Sequence, residues 1–278
     1  MSQDVKNFID GMPNIPSMPS IVLNLLDQLN KPEPDIIKLS ATISKDISLT
    51  AQLLRLVNSA YFSFSSRVNN VTQAAVLLGL NRLRSLIISS AIKPMIVTVC
   101  GKDLWEHSIR CAVGCEIIAK SLNDNRKEEA FIAGLLHDVG KIVLELYNSN
   151  YAREAHNQFV LGGERISIEK KLFGFAHTEV GKELIFKWNL SDDIGEHVNF
   201  HHNPVQSSDK LLTSYVYVAD RLAQENIMYP IVDPEISENL DFEVSDPMIL
   251  REEIFTASQP IIDVFSGKTN INTLHKAG

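Results

Sequence analysis

The sequence predicts an all-α fold, and three observations carry that prediction. Apolar residues recur at helical spacing, as in Ile21, Leu25, Leu26 and Leu29, and again in Leu49, Leu53, Leu56 and Val57. The first 98 or so residues show no strand-like alternation, and the helical pattern continues to about residue 225. Prolines, glycines and Asn/Asp residues fall mostly where those helices begin and end. The 278-residue length suits one large domain or two smaller ones. Apolar residues make up 45% and charged residues 22%, a globular composition.

Taken in order, "GMPNIPSMPSIVLNLLDQLNK" begins with three prolines, of which Pro16 and Pro19 suit a helix entry, and then turns apolar. "KPEPDIIKLSATISKD" starts the next helix, with Pro34 expected in its first turn. In "DISLTAQLLRLVNSAYF", Asp46 or Ser48 is the expected N-cap. "VTQAAVLLGLNRLRSLIISSAIKPM" reads as two helices divided at Gly79, the second ended or kinked at Pro94. Helix, glycine, helix is also the outline of a DNA-binding helix-turn-helix, with Arg82 and Arg84 on its second helix. Leu83, Leu86, Ile87 and Ile88 make that helix aliphatic, which favours burial, and the net charge of −8 argues against a dominant nucleic-acid role. Beyond it, helices are expected at 103–121, 127–138, 147–161, 164–172, 177–188, 191–201 and 208–224, and another near 247–265, interrupted or kinked at Pro260. This organisation divides as residues 1–98, 99–225 and 226–278.

The absence of a membrane-length apolar run and of a basic-then-apolar N-terminus places the protein in the cytoplasm as an expectation. The three cysteines, an odd number, argue against a disulfide framework. His107, Cys111 and Cys115 form one helical stripe, read as a core face rather than a zinc site, which needs four ligands.

Residues 99–225 carry seven of the eight histidines. His107 lies within a helical stretch, His137 and Asp138 close the next, His177 opens another, and His201 and His202 end a further one. Asp220 sits among Val216, Tyr217, Ala219, Leu222 and Ala223. A carboxylate buried there loses several kcal/mol of hydration and needs a cation or hydrogen bonds. Arg221 points about 100° away, leaving a metal ion or a salt bridge from another helix. Imidazole nitrogens and carboxylate oxygens together suit first-row divalent metals. His107, His137, Asp138 and Asp220 can form one site, and His177, His201, His202 and the other oxygen of Asp138 a second. Two further candidates carry less weight: Asp103, four residues before His107, and His197, four before His201.

The order H…HD…H…HH…D resembles the HD superfamily of metal-dependent phosphohydrolases. "MPSIVLNLLDQL", "LSATISKDISLTAQLLRLVNSAYF" and "VTQAAVLLGLNRLRSLII" resemble the N-terminal half of an HDOD domain, the HD-related output domain of bacterial signalling proteins. "LLRLVNSA" and "AAVLLG" are its most specific pieces, and the likeness runs over about residues 10–225. The resemblance implies an all-helical fold, an HD-like multi-helix bundle preceded by an N-terminal helical subdomain. It makes His107 the first ligand, His137 and Asp138 the naming pair, and Asp220 the closing ligand. It matches His177 and His201 or His202 to the extra histidines of two-metal members such as the HD-GYP phosphodiesterases. Many HDOD proteins have lost several of these residues and are thought to signal without catalysis, whereas this chain keeps all of them. It departs from HD-GYP in the "NPVQSSDK" that follows His201-His202, so cyclic di-GMP hydrolysis is not assigned.

The expected activity is hydrolysis of a phosphoester, a nucleotide among the candidates, by hydroxide on one or two divalent ions. Iron, manganese, zinc or nickel is preferred to magnesium by the histidine-rich donors. Asp138 would bridge the ions or orient water, and Lys141 would either meet a substrate phosphate or remain a surface lysine at a helix end. The competing expectation is a non-catalytic signalling module with a structural or vestigial metal site, served by a partner protein that brings the input.

Overall fold

The computed structural model describes residues 2–225, 236 and 247–268, and among them every regular element is helical. The N-terminal series is α1 (Ser2–Gly11), α2 (Ser20–Leu29), α3 (Ile36–Ser44), α4 (Ile47–Val57) and α5 (Val71–Leu78), followed by the long α6 (Leu80–Val99). The second series is α7 (Lys102–Ser121), α8 (Lys127–Leu136), α9 (Gly140–Tyr147), α10 (Ser149–Val160), α11 (Arg165–Phe173), α12 (His177–Lys187), α13 (Asp192–Phe200) and α14 (Lys210–Ala223), with a 3-10 turn at Pro204–Gln206. A C-terminal helix, α15, covers Pro247–Phe265.

Local chemistry explains most of these limits. Asp35, Asp46, Asn70, Asn148, Glu164 and Asp209 each accept hydrogen bonds from otherwise unpaired first-turn amides, as N-caps do. Asp46 rather than Ser48 is therefore the cap of α4, with Leu49 N–H donating to it at 2.8 Å. Asp35 also displaces Pro34 from the first turn of α3, because the cap lies between them. Gly79 divides α5 from α6 at φ 75°, a conformation that L side chains rarely adopt. Pro94 does not end α6, which continues to Val99, and Pro260 lies inside α15 without interrupting it. Two helices are additional to the sequence expectations: α1, and α9 in the stretch after Asp138. Of the 226–278 segment, residues 226–235, 237–246 and 269–278 lie outside the described residues.

One hydrophobic core runs from Val5 and Leu25 through Leu53, Leu83 and Ile87 to Leu135, Ile142, Val180 and Phe265, so it joins the two helical series. A second cluster, with Cys111, Cys115, Tyr215, Val218 and Ile254, fills the space among α7, α8, α14 and α15. The two cysteines are thus core residues, as the stripe suggested. Each fully buried leucine or isoleucine stabilises by about 1.5–3 kcal/mol. Helix α7 is central, contacting α6, α8, α14 and α15. Arg82 does not face outward as a DNA-reading helix would place it. Its guanidinium grips Glu116 of α7 at 2.5 and 2.7 Å, and Tyr61 O–H donates to the same carboxylate at 2.5 Å. Among the described residues, no helix is long and apolar enough to cross a membrane.

Candidate metal centre

Close packing of small residues places the His137-Asp138 pair. A Cβ on Gly134 would lie 2.7 Å from Cys115 Sγ and 2.9 Å from the Cys111 carbonyl, so only glycine lets α8 lie this close to α7. A Cβ on Gly140 would lie 1.9 Å from the His177 carbonyl oxygen and 2.7 Å from Gly181 N. The start of α9 therefore abuts the start of α12. His137, Asp138 and Val139 make the tight turn between α8 and α9, and their position is fixed from both sides.

Seven side chains expected from the sequence meet here. His107 Nε2 lies 3.2 Å from His137 Nε2 and 3.0 Å from Asp220 Oδ1, and His137 Nε2 lies 3.5 Å from the same Asp220 oxygen. His177 Nε2 lies 3.4 Å from His201 Nε2 and 3.3 Å from His202 Nε2. Asp138 stands between the two groups. Its Oδ2 is 3.3 Å from His137 Nε2 and 3.8 Å from His107 Nε2, while its Oδ1 is 3.2 Å from His177 Nε2. Nitrogen and oxygen donors gather in three overlapping sets: His107, His137 and Asp220; His137, Asp138 and His201; and His177, His201 and His202.

The tautomers follow from the partners. His137 Nδ1 lies 2.7 Å from the Gly134 carbonyl, and His201 Nδ1 lies 2.8 Å from the Val198 carbonyl. A carbonyl can only accept, so each Nδ1 carries hydrogen. His177 Nδ1 lies 2.6 Å from Glu169 Oε2, and the same reasoning holds against a carboxylate. In all three rings Nε2 is left to face the others across the pocket. Nitrogens aimed at one another 3.2–3.4 Å apart call for a proton or a cation between them. That is the donor chemistry of a divalent metal site, with the Nδ1–H partners in the place that supports a ligand imidazole.

The electrostatics agree. Burial opposes charge on His137, but Asp138 and Asp220 outweigh it and push its pKa up to about 10. Burial also opposes the charged form of Asp138, yet Lys141, His137 and His177 hold it well below the usual carboxylate range. Asp220 is held low in the same way, by His107 and His137 against burial. Burial and the neighbouring imidazoles push His201 well down, and burial with His177 brings His202 to about 4. The pocket thus favours positive charge between the carboxylates and neutral imidazoles on the His201–His202 side.

Asp138 is 2% exposed, while the side chains of His107 and Lys141 are 17% and 24% exposed and mark the open edge. Lys141 does not sit at a helix C-terminus. It lies in the first turn of α9, its ammonium paired with Asp138 Oδ2. The two less-favoured candidates fall elsewhere. Asp103 is an exposed residue in the first turn of α7, outside the donor sets. His197 is buried but turns its Nδ1 to Thr213 Oγ1 at 2.9 Å. Two residues were missed from the sequence: Glu169, and Arg165, whose Nε lies 2.9 Å from Glu169 Oε1. Their only signal was an acid in the middle of a short helix, eight residues before His177.

Among solved structures, the chain is similar to an HDOD domain protein of Geobacter sulfurreducens, with a TM-score of 0.75, 23% identity and 96% of each chain covered. It is also similar to a Shewanella amazonensis SB2B protein provisionally named a phosphohydrolase, with a TM-score of 0.77, 25% identity, and 95% and 98% covered. A curated relative, the cyclic di-GMP phosphodiesterase CdgJ of Vibrio cholerae serotype O1, is 29% identical over 116 residues, which is 41% of this chain and 27% of that protein. The chain spans well under half the length of the curated relatives it matches, 39% of the longest-matching one. The HDOD domain model matches residues 15–204, most of the chain and most of the helices that build the histidine–aspartate pocket. With an all-helical architecture shared end to end with a solved HDOD protein, the chain belongs to the HDOD domain family.

Proposed function

We propose that the protein is a metal-dependent phosphohydrolase acting in cytoplasmic bacterial signal transduction, with residues 99–225 holding the ions and residues 1–98 offering a surface to a signalling partner. The observation that carries this reading is the placement of Asp138, one oxygen toward His107 and His137 and the other toward His177. His107, His137, Asp138 and Asp220 would hold one divalent ion, and His177, His201, His202 and the other Asp138 oxygen a second. The nitrogen-rich donors favour manganese, iron, zinc or nickel over magnesium. When bound, such ions supply Lewis acidity toward a phosphoryl oxygen and a lowered pKa for water.

The chain's own groups do the rest. Asp138 spans the two halves of the pocket and, from its second lone pairs, can orient a proton-bearing group. Lys141 stands beside it at the open edge, where an ammonium meets a substrate phosphate and offsets its charge. His137, His177 and His201, fully buried, exclude bulk water from the floor of the pocket. The substrate class is a phosphoester. CdgJ's name points to a cyclic dinucleotide for that protein, but "NPVQSSDK" in place of a Gly-Tyr-Pro sequence argues for a different ester here.

The depth of the donor set favours one alternative, a closed structural site in a non-catalytic signalling module. Metal analysis of the purified protein, with hydrolysis assays on bis(4-nitrophenyl) phosphate and on cyclic dinucleotides before and after chelation, separates the readings. Bound transition metal with chelator-sensitive hydrolysis supports the enzyme. Metal without turnover supports the module, and a protein that binds no transition metal overturns both.

A further inference from the structure

Three buried imidazoles turn Nε2 into the pocket, but they are held there by two different devices. His137 and His201 each lie three residues beyond a carbonyl of the preceding helical turn, and their Nδ1–H groups donate to Gly134 O and Val198 O. Backbone acceptors of that kind come with the helix. His177 is the first residue of α12, so no preceding turn of its own helix supplies such a carbonyl. Its Nδ1 is met by a side chain from another helix, Glu169 of α11, at 2.6 Å. The same Glu169 oxygen accepts the His177 backbone N–H at 2.8 Å, an anion at a helix N-terminus. The other oxygen is paired with Arg165 at 2.9 Å. The left-handed turn at Gly174, φ 87°, folds α11 back so that residue 169 reaches residue 177.

We propose that Glu169 is the positioning residue of the site: it fixes the His177 ring in the Nδ1–H tautomer and aims Nε2 at the ion, while Arg165 holds the carboxylate in place. The proposal rests on the reading of the pocket as a metal centre. A carboxylate behind a ligand imidazole fixes the ring and raises the basicity of the ligating nitrogen. Glu169 is 1% exposed, so water is not available to replace it.

Two measurements test this. The first is the 15N–1H long-range spectrum of the metal-free wild-type protein with labelled histidine. Hydrogen on His177 Nδ1 is expected, and a ring that carries hydrogen on Nε2 with none on Nδ1 overturns the assignment whatever any variant does. The second is Co2+ affinity of wild type and Glu169→Gln, with thermal unfolding of both proteins in chelator. The amide keeps an acceptor for the ring but loses the charge, and a loss of about 10–100-fold in Co2+ affinity is expected. A purely structural role would lower the chelated protein's unfolding temperature and leave Co2+ affinity unchanged, which overturns the proposal. A wild type that binds no Co2+ overturns the metal reading itself, and the proposal with it. Should Glu169→Gln not fold, Arg165→Gln, one step further from the ring, is measured in its place with the same direction and a smaller loss expected.

Discussion

Asp138 is the residue on which the two halves of the pocket depend, because each of its oxygens faces a different histidine group. Replacing it with alanine removes the shared acceptor and leaves His107, His137 and Asp220 without a link to His177. The expected outcome is loss of the transition metal that copurifies with the wild type, read by elemental analysis, while the helical circular dichroism persists. Lys141 makes a different kind of contribution. It is the charged group at the open edge, paired with Asp138 but 24% exposed, so it can be offered to a ligand. Lys141→Met should leave metal content intact and raise KM for a phosphoester by roughly tenfold, about 1.4 kcal/mol of binding. Loss of metal in that variant would show instead that the lysine serves only to hold Asp138.

At the scale of helices, the pocket depends on contacts that admit no side chain. A methyl group on Gly140 would meet the His177 carbonyl at 1.9 Å, a backbone atom that cannot rotate away. Gly140→Ala should therefore push α9 from α12 at a cost of about 1–3 kcal/mol or more. Thermal unfolding should fall by about 2–4 °C for each kcal/mol, and metal affinity should fall with it, since both Asp138 and His177 move. These contacts also show what could be read from the sequence. Helices marked by a capping Asp or Asn, such as α4 with Asp46 and α5 with Asn70, were legible or nearly so. The α9 helix was not, because its N-cap position, Val139, offers no side-chain cap and only a three-residue turn separates it from α8. The seven pocket residues were legible from their order, H…HD…H…HH…D, across a helical region and from its resemblance to the HD pattern, since no one of them is diagnostic alone. Glu169 was not, since "IEKKLF" looks like a solvated face, and only the reversal at Gly174 turns its carboxylate inward. His197 shares the four-residue spacing with His201, but it lies within α13 while His201 lies just past its end, and the two rings find different partners.

Across the described residues, the N-terminal helices and the histidine-bearing helices share one core, and the buried Glu116 carboxylate adds polar bonds between them. Glu116 of α7 receives both guanidinium nitrogens of Arg82 from α6, the Tyr61 hydroxyl from the segment after α4, and the Lys120 ammonium at 2.5 Å. Burial alone would raise the pKa of Glu116. The charge of Arg82 and the hydrogen bonds from Arg82, Lys120 and Tyr61 outweigh it and hold the carboxyl below its ordinary value. A depressed carboxyl stabilises the fold fully above its unfolded pKa, about 4.3, and that contribution is lost as the pH falls through the lower folded value. Glu116→Gln leaves Arg82 buried with the more distant Glu128 carboxylate, at 3.6 Å, as counter-charge, so the cost is expected at or below about 3–5 kcal/mol, that of breaking a buried pair outright. The stability gap between wild type and Glu116→Gln, from urea unfolding in chelator, should thus be largest at neutral pH and flat down to about pH 5. Below the unfolded pKa of about 4.3 it should narrow, as protonation removes from the wild type what the substitution has already removed. Groups that do not face Arg82 titrate equally in both proteins and cancel in the difference, and Glu128, which faces it, is removed from both backgrounds by Glu128→Gln. A gap that stays constant from pH 7 into that acid range would mean that the tie between the two helical series is packing around the side chains rather than their charge.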